Sequence, residues 1–357
     1  MVSKHVIICL LTVALMASVA YGGKVYRFEY QKIIEVEPGL ELTINNVSGN
    51  VILTSSDDGK LKVEAVKLIY SESQEEADLV SDHVQISVSS VKNHFTIEPK
   101  FLKIQDRSPS FWEKILGKSG ESSYGSIDFV VSVPIDCNAD IYNTSGNIEL
   151  AGLRGSMLLS GTAGDIIVRD VAGKIEITTT SGKVDMGDIE GNIQVNATGS
   201  DISFHSVTGD IDIRNSSGKT VGQYLNGDLT LSQVTGSVEL TRIEGDIRVK
   251  SNSGKISVEQ DYGALDISTE SGNIAIRTEL NSAKDYFVET ISGSIDFVIP
   301  EATSGRIRME AESGDIDTRI PISIDSFSKT RISGSFGEGG PKITLATTSG
   351  DIRLSEY

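Results

Sequence analysis

The chain has 357 residues, 35 of them glycine and 7 proline, with 10 Tyr, 10 Phe and one Trp, and 38% of it is hydrophobic. That is apolar enough to exclude a disordered chain, and poor in aromatics for an enzyme built around one large compact core. Fifty acidic against 32 basic residues give a net charge of -18, which repels phosphate backbones and anionic membranes and argues against nucleic acid as a partner.

The first twenty residues, MVSKHVIICLLTVALMASVA, set Lys4 ahead of an apolar run from Val6 to Val19, with small residues Ser18 and Ala20 at its end. Residues 1–20 therefore read as a secretory signal peptide, cleaved after Ala20 or Gly22, whose apolar run is too short for a comfortable membrane span. Cleavage removes Cys9 and leaves Cys137 as the only cysteine, so no intramolecular disulfide is expected. A small buried thiol beside Ile135 is the expectation there. No other apolar run reaches the ~20 residues of a transmembrane helix. Export to the periplasm or cell surface without a bilayer anchor follows, and the lack of a cysteine at the cleavage site argues against a lipoprotein.

Residues 21–140 read as a capping region of strands and helices continuous with the C-terminal repeats. VSGNVIL (47–53) is one isolated copy of the repeat unit, SQEEADLVSDHV (73–84) predicts a short amphipathic helix, and SFWEKILG (110–117) predicts another, ended by glycine. Phe111, Trp112, Ile115 and Leu116 would bury one face of the latter. The segment is expected to close one end of the repeats, because an open end is a sheet edge that invites aggregation.

From residue 141 to 357 the chain repeats itself. Between Gly146 and Gly272 glycine returns every nine residues, with Gly199 one place early, and aliphatics stand two and four places after almost every glycine, as in Ile175 and Ile177 or Ile193 and Val195. This period-2 alternation predicts short half-buried strands, and the glycine density excludes helix. A nine-residue unit cannot bury its own apolar face, so the units must stack. The seventh place after glycine is apolar at Leu153, Val171, Ile189, Val207, Leu225 and Ile243, and polar at the intervening Thr144, Thr162, Thr180, Thr198, Ser216 and Asn252, with Val234 and Asp261 as exceptions. Two kinds of unit thus alternate, which predicts an all-β parallel β-solenoid with two principal sheets, one apolar corner and one polar corner. Its winding is 18 residues long. A right-handed coil is expected from the general preference of parallel crossovers. Ser-Gly recurs at Ser292-Gly293, Ser313-Gly314, Ser333-Gly334 and Ser349-Gly350, which predicts further windings with small loop insertions. About eleven windings at ~4.8 Å each would make a rod on the order of 50 Å long.

The residues of catalysis are scarce. His83, His94 and His205 lie far apart and in no ligand spacing, which supports neither a zinc site nor a Ser-His-Asp triad, and His205 reads as an outward surface residue. Glycine loops that cradle phosphate are absent. The place after glycine carries alternating charges on one side of the coil (Asp165, Lys183, Asp201, Lys219) and three aspartates in succession, Asp210, Asp228 and Asp246, on the other. Stacked carboxylates raise one another's pKa or recruit a cation, so these three are the candidate divalent-cation ladder, or the contact point for a cationic or sugar ligand. The alternative is that Gly-Asp and Gly-Asn are turn dipeptides bonding to nearby backbone, since the GGxGxD pattern of calcium β-rolls is missing. The Thr/Ser column likewise admits glycan binding or sheet stabilisation. No other cofactor is expected.

VSVPIDCNADIYNTSGNIELAGLRGSMLLSGTAGDIIV (131–168), with its Thr-Ser-Gly-Asn-Ile turn and its train of Gly-x-Ile-x-Ile units, resembles the exported bacterial "putative adhesin" repeat family, a numbered family of unknown function. The Val-Ser-Gly-Asn-Val strand and helix at 47–84 resemble the same family's opening, and the likeness spans about residues 40–354. It implies a β-solenoid in the periplasm or at the cell surface and lends no catalytic residues. The resulting expectation is a non-catalytic, adhesin-like or structural surface protein whose partner is another envelope protein or a surface glycan. The competing classes are a carbohydrate-binding or polysaccharide-cleaving β-helix and an envelope-stress scaffold.

Overall fold

The computed structural model describes residues 24–101 and 125–357; the expected signal peptide and the expected 110–117 helix lie outside them. Strand Met157–Ala163 pairs in parallel with Cys137–Ser145 on one side and Ile175–Glu190 on the other, Met157 standing opposite Ala139 and Ile175. Ile166–Ala172 lies in the same way between Ile148–Arg154 and the second half of Ile175–Glu190. Partners such as Ile193 and Ile211 are 18 residues apart, so each winding adds one strand to each of two parallel ladders. The β-branched alternation dictates which side turns inward: Ile175, Ile193 and Ile211 stack one above another at 2% exposure or less. This is the all-β solenoid that the repeat predicts, with a continuous apolar core along its axis.

Glycine holds the corners because the windings leave no room for a side chain. A Cβ on Gly182, at φ +109°, would lie 2.1 Å from the carbonyl oxygen of Gly164 in the winding before.

The two ladders differ by a single backbone twist. In the second ladder the residue six places after glycine is left-handed: Gly152 at φ 74°, Asp170 at 52°, Asp188 at 57°, Ser206 at 54°, Tyr224 at 56° and Arg242 at 59°. This puts one extra residue outside and swings the next one in, which is why Leu153, Val171, Ile189, Val207, Leu225 and Ile243 are all buried. The first ladder lacks the twist, so its sixth residue faces the core: Thr179, Asn215, Gln233, Ser251 and Thr269 are at most 6% exposed. The Thr144, Thr162, Thr180, Thr198, Ser216 column read as the polar corner is exposed. The polar residues that shape that corner's interior stand one place earlier. The Asn and Gln among them bond the turn carbonyls, which satisfies buried donors: Asn143 Nδ2 donates to Gly49 O at 2.9 Å and Gly146 O at 3.0 Å, and Gln233 Nε2 to Gly218 O at 3.0 Å. The exception at Asp261 has the same origin. Gln260 is not left-handed, turns inward at 1% exposure, and donates to Gly245 O at 2.7 Å.

Both ends depart from chain order. Leu40–Ser48 is seated between His94–Phe101 and Cys137–Ser145, with Glu41 opposite His94 and Leu40 opposite Cys137. Val51–Ser56 lies between Gly125–Pro134 and Ile148–Arg154. The VSGNVIL copy, isolated in the sequence, is thus a full winding in register with residues 137–154. At the other end Lys342–Ser349 is seated between Tyr286–Ser292 and Gly305–Ser313, and Ile352–Glu356 between Ile295–Ile299 and Ile316–Thr318. Ser333-Gly334, expected to begin a winding, lies instead in strand Arg331–Phe336, which runs antiparallel to Gly305–Ser313 and to Ser323–Ser328. The helix Gln74–His83 has Ser73 as its N-cap and buries Ala77 and Val80. The Lys67 ammonium holds the far end of the helix, donating to Ser81 O at 2.8 Å and Val84 O at 3.0 Å.

Candidate functional site

Where Asp or Asn follows a corner glycine, its side chain is spent on the neighbouring winding. Asp228 N–H donates to Asp210 Oδ1 at 3.0 Å, Asp246 N–H to Asp228 Oδ1 at 2.9 Å, and Ala264 N–H to Asp246 Oδ1 at 2.9 Å. Asn192 accepts the same bond from Asp210 N–H at 3.0 Å, and on the opposite corner Asp165 and Asp201 accept from Lys183 and Lys219, both at 2.8 Å. An Asn or Asp here satisfies a corner N–H of the next winding that no strand reaches. The three aspartates do stand in one column, and that column ends on a cation of the chain's own: Lys284 Nζ is 2.7 Å from Asp246 Oδ1. The backbone hydrogen bond from Ala264, and then Lys284, hold the Asp246 carboxyl below its ordinary value. Among the described residues, no group of three or more His, Cys, Asp or Glu side chains could hold a metal ion.

The three histidines stay apart. His83 is buried in the cap, where desolvation lowers its pKa. His94 bonds Thr43 Oγ1 at 2.9 Å, and His205 lies half-buried on the second ladder with its ring across Gly187. Cys137 is 2% exposed, and burial pushes its thiol up to about 12. It is inert at neutral pH.

What remains for a ligand is the outer surface, on which three clefts stand out among the described residues. One of about 400 Å³ includes Asp170, Asp188 and Glu190 in its lining, and one of about 290 Å³ includes Asp210, Asp212 and Asp228. The third, about 530 Å³, runs along the first ladder across several windings and has no carboxylate in its lining. Its outward column is Thr178, Asn196, Arg214, Ser232 and Lys250, each residue opposite the next in register. The exposed Thr180, Thr198, Ser216 and Asn252 run beside it. Arg214 Nη2 contacts Asp212 Oδ2 at 3.2 Å, and Lys250 has no ion pair among the described residues. The sequence marks the Thr/Ser part of this surface but not Arg214 and Lys250. The signal for them is two cations 36 residues apart in an outward column free of acid.

Residues 248–355 match the family model described as Toastrack DUF4097. No curated protein matches the chain. Among solved structures, a putative adhesin from Parabacteroides distasonis ATCC 8503 covers 77% of this chain and 98% of its own at 14% identity, with a TM-score of 0.38. A putative lipid binding protein from the same organism covers 75% and 96% at 15% identity, with a TM-score of 0.35. A putative adhesin from Bacteroides fragilis NCTC 9343 covers 94% and 97% at 12% identity, with a TM-score of 0.25. The match to Toastrack DUF4097 covers residues 248–355, the C-terminal windings of this chain, and is in keeping with the adhesin-labelled repeat family that the sequence resembles.

Proposed function

We propose that the protein is an exported, non-catalytic solenoid that presents a long, regular surface for adhesion within the bacterial envelope. The observation that carries this reading is where the polar side chains go. Corner Asp and Asn residues bond the next winding, as Asp228 does for Asp246 at 2.9 Å, and inward Asn and Gln residues bond turn carbonyls, as Gln233 does for Gly218 at 3.0 Å. The chemistry left over lies on open faces that repeat with the windings, which suits a surface meeting an extended partner better than a pocket enclosing a small substrate. The signal-peptide reading of residues 1–20 supports export.

The test is to incubate the purified full chain with bacterial envelope preparations and with a panel of polysaccharides. Retention on envelope material without release of new reducing ends is expected. Release of reducing ends, or no retention on any envelope fraction, would overturn the reading.

A further inference from the structure

In a chain with 50 acidic residues, a cleft spanning several windings without one carboxylate in its lining calls for a physical reason. The other two clefts are lined by aspartates. Windings stack about 4.8 Å apart, so Arg214 and Lys250, two windings from each other in register through Ser232, stand roughly 10 Å apart. Hydroxyl and amide side chains fill the places around them, and each of these both donates to and accepts from a hydroxyl. Val234, 48% exposed, adds an apolar spot. On the lining, Asn215 is 4% exposed; its Nδ2 is spent on Ser200 O at 2.8 Å, while its Oδ1 has no partner among the described residues. Among the described residues, Arg214 gives one donor to Asp212 and keeps the others, and Lys250 has no hydrogen-bond or ion-pair partner. Among the described residues, no aromatic side chain lines the cleft to stack a base.

We propose that this cleft binds an acidic polysaccharide, with Arg214 and Lys250 each taking an acidic group on alternate sugars and the hydroxyl and amide columns bonding the sugar hydroxyls between them. A sugar of an extended glycan advances by about one winding, so a cation on every second winding suits an acid on every second sugar. The inference rests on the non-catalytic surface reading and names its ligand class.

The experiment measures binding of the full chain to a hyaluronan decasaccharide, in which uronic acid alternates with a neutral sugar, beside neutral dextran, heparin and single-stranded DNA. Binding to hyaluronan that falls at least tenfold in the double variant Arg214→Gln/Lys250→Gln, and is unchanged in Lys183→Gln on another corner, is expected. Unaltered circular dichroism and melting show that the double variant is folded, since both side chains are exposed. No binding to hyaluronan, equal binding in the double variant, or equal binding to all the polyanions would each overturn the inference. Envelope retention measured on the same samples separates the two readings: retention without hyaluronan binding sinks this inference alone, and loss of both sinks the adhesive reading as well.

Discussion

The ring of Phe204 occupies the space that a side chain at Gly222, one winding on, would need: a Cβ there would fall 2.1 Å from its Cζ. Along this inward column Met186, Phe204, Gly222 and Leu240 follow one another in register, so a large residue and an absent one share a single volume. Close packing is therefore balanced between windings rather than within each.

Gly222→Ala is expected to destabilise the protein by about 1–3 kcal/mol through overpacking. The double variant Phe204→Leu/Gly222→Ala recovers much of that loss, because the smaller side chain vacates the space. Urea melts of the parent, the single variants Gly222→Ala and Phe204→Leu, and the double variant check the coupling; purely additive losses would contradict the shared-volume account.

The early glycine at 199 has a structural cost that can be removed. In register, Ser200 and not Gly199 takes the corner place opposite Gly182, and Ser200 is fully buried with its Oγ unpartnered among the described residues. The swap Gly199→Ser/Ser200→Gly restores the Thr-Ser-Gly order seen at 180–182 and is expected to raise stability by about 1 kcal/mol, since a buried hydroxyl without a partner is unfavourable. An unchanged or lower melting temperature would contradict this.

Asp228 serves as an acceptor for the N–H of Asp246. Asp228→Asn keeps that acceptor, as Asn192 already does for Asp210, and is expected to leave stability nearly unchanged, whereas Asp228→Ala loses about 1 kcal/mol. Since the column's carboxylates are engaged by backbone and by Lys284, calcium or a chelator is expected to leave the melting temperature where it is. A calcium-dependent rise that Asp228→Asn abolishes would reinstate the cation ladder.

The Asp246–Lys284 pair predicts a pH dependence at both extremes. Asp246 is held below its ordinary 3.8 in the folded state, so its contribution is fully present above that value and is lost as pH falls through the lower folded-state pKa. Lys284 is raised above its ordinary 10.5, chiefly by its hydrogen bond to Asp246, so its contribution is present below that value and is lost as pH rises through the raised one. Asp246→Asn, which still accepts from Ala264, is expected to melt slightly lower than the parent at neutral pH. It converges with the parent in strong acid and in strong alkali. A difference that does not shrink as the pH is taken below 3.8 would rule this out.

Much of the architecture was legible because a nine-residue unit with glycine at one end and aliphatics at places two and four can be satisfied in only one way, by stacking. The alternation at the seventh place was legible too, but its cause was not. Asp170, Asp188, Ser206, Tyr224 and Arg242 share no side-chain chemistry that would announce a left-handed backbone. The inward polar column at Thr179, Asn215 and Gln233 was missed because nothing local says that the sixth residue turns in on one ladder and out on the other. The clefts show the same division. The Thr/Ser column could be read from spacing, whereas Arg214 and Lys250 stand out only once the register shows that they share a cleft with no carboxylate in its lining.

Sequence alone determined the winding length, the two faces and the glycine corners, since these arise from steric and apolar constraints that recur within every 18 residues. Tertiary structure alone decided the order of windings at the two ends. Similar strands can pair with any neighbour of matching register, and it is the cap and the C-terminal hairpin that seat Leu40–Ser56 against residues 137–154 and Lys342–Glu356 ahead of Gly305–Thr318.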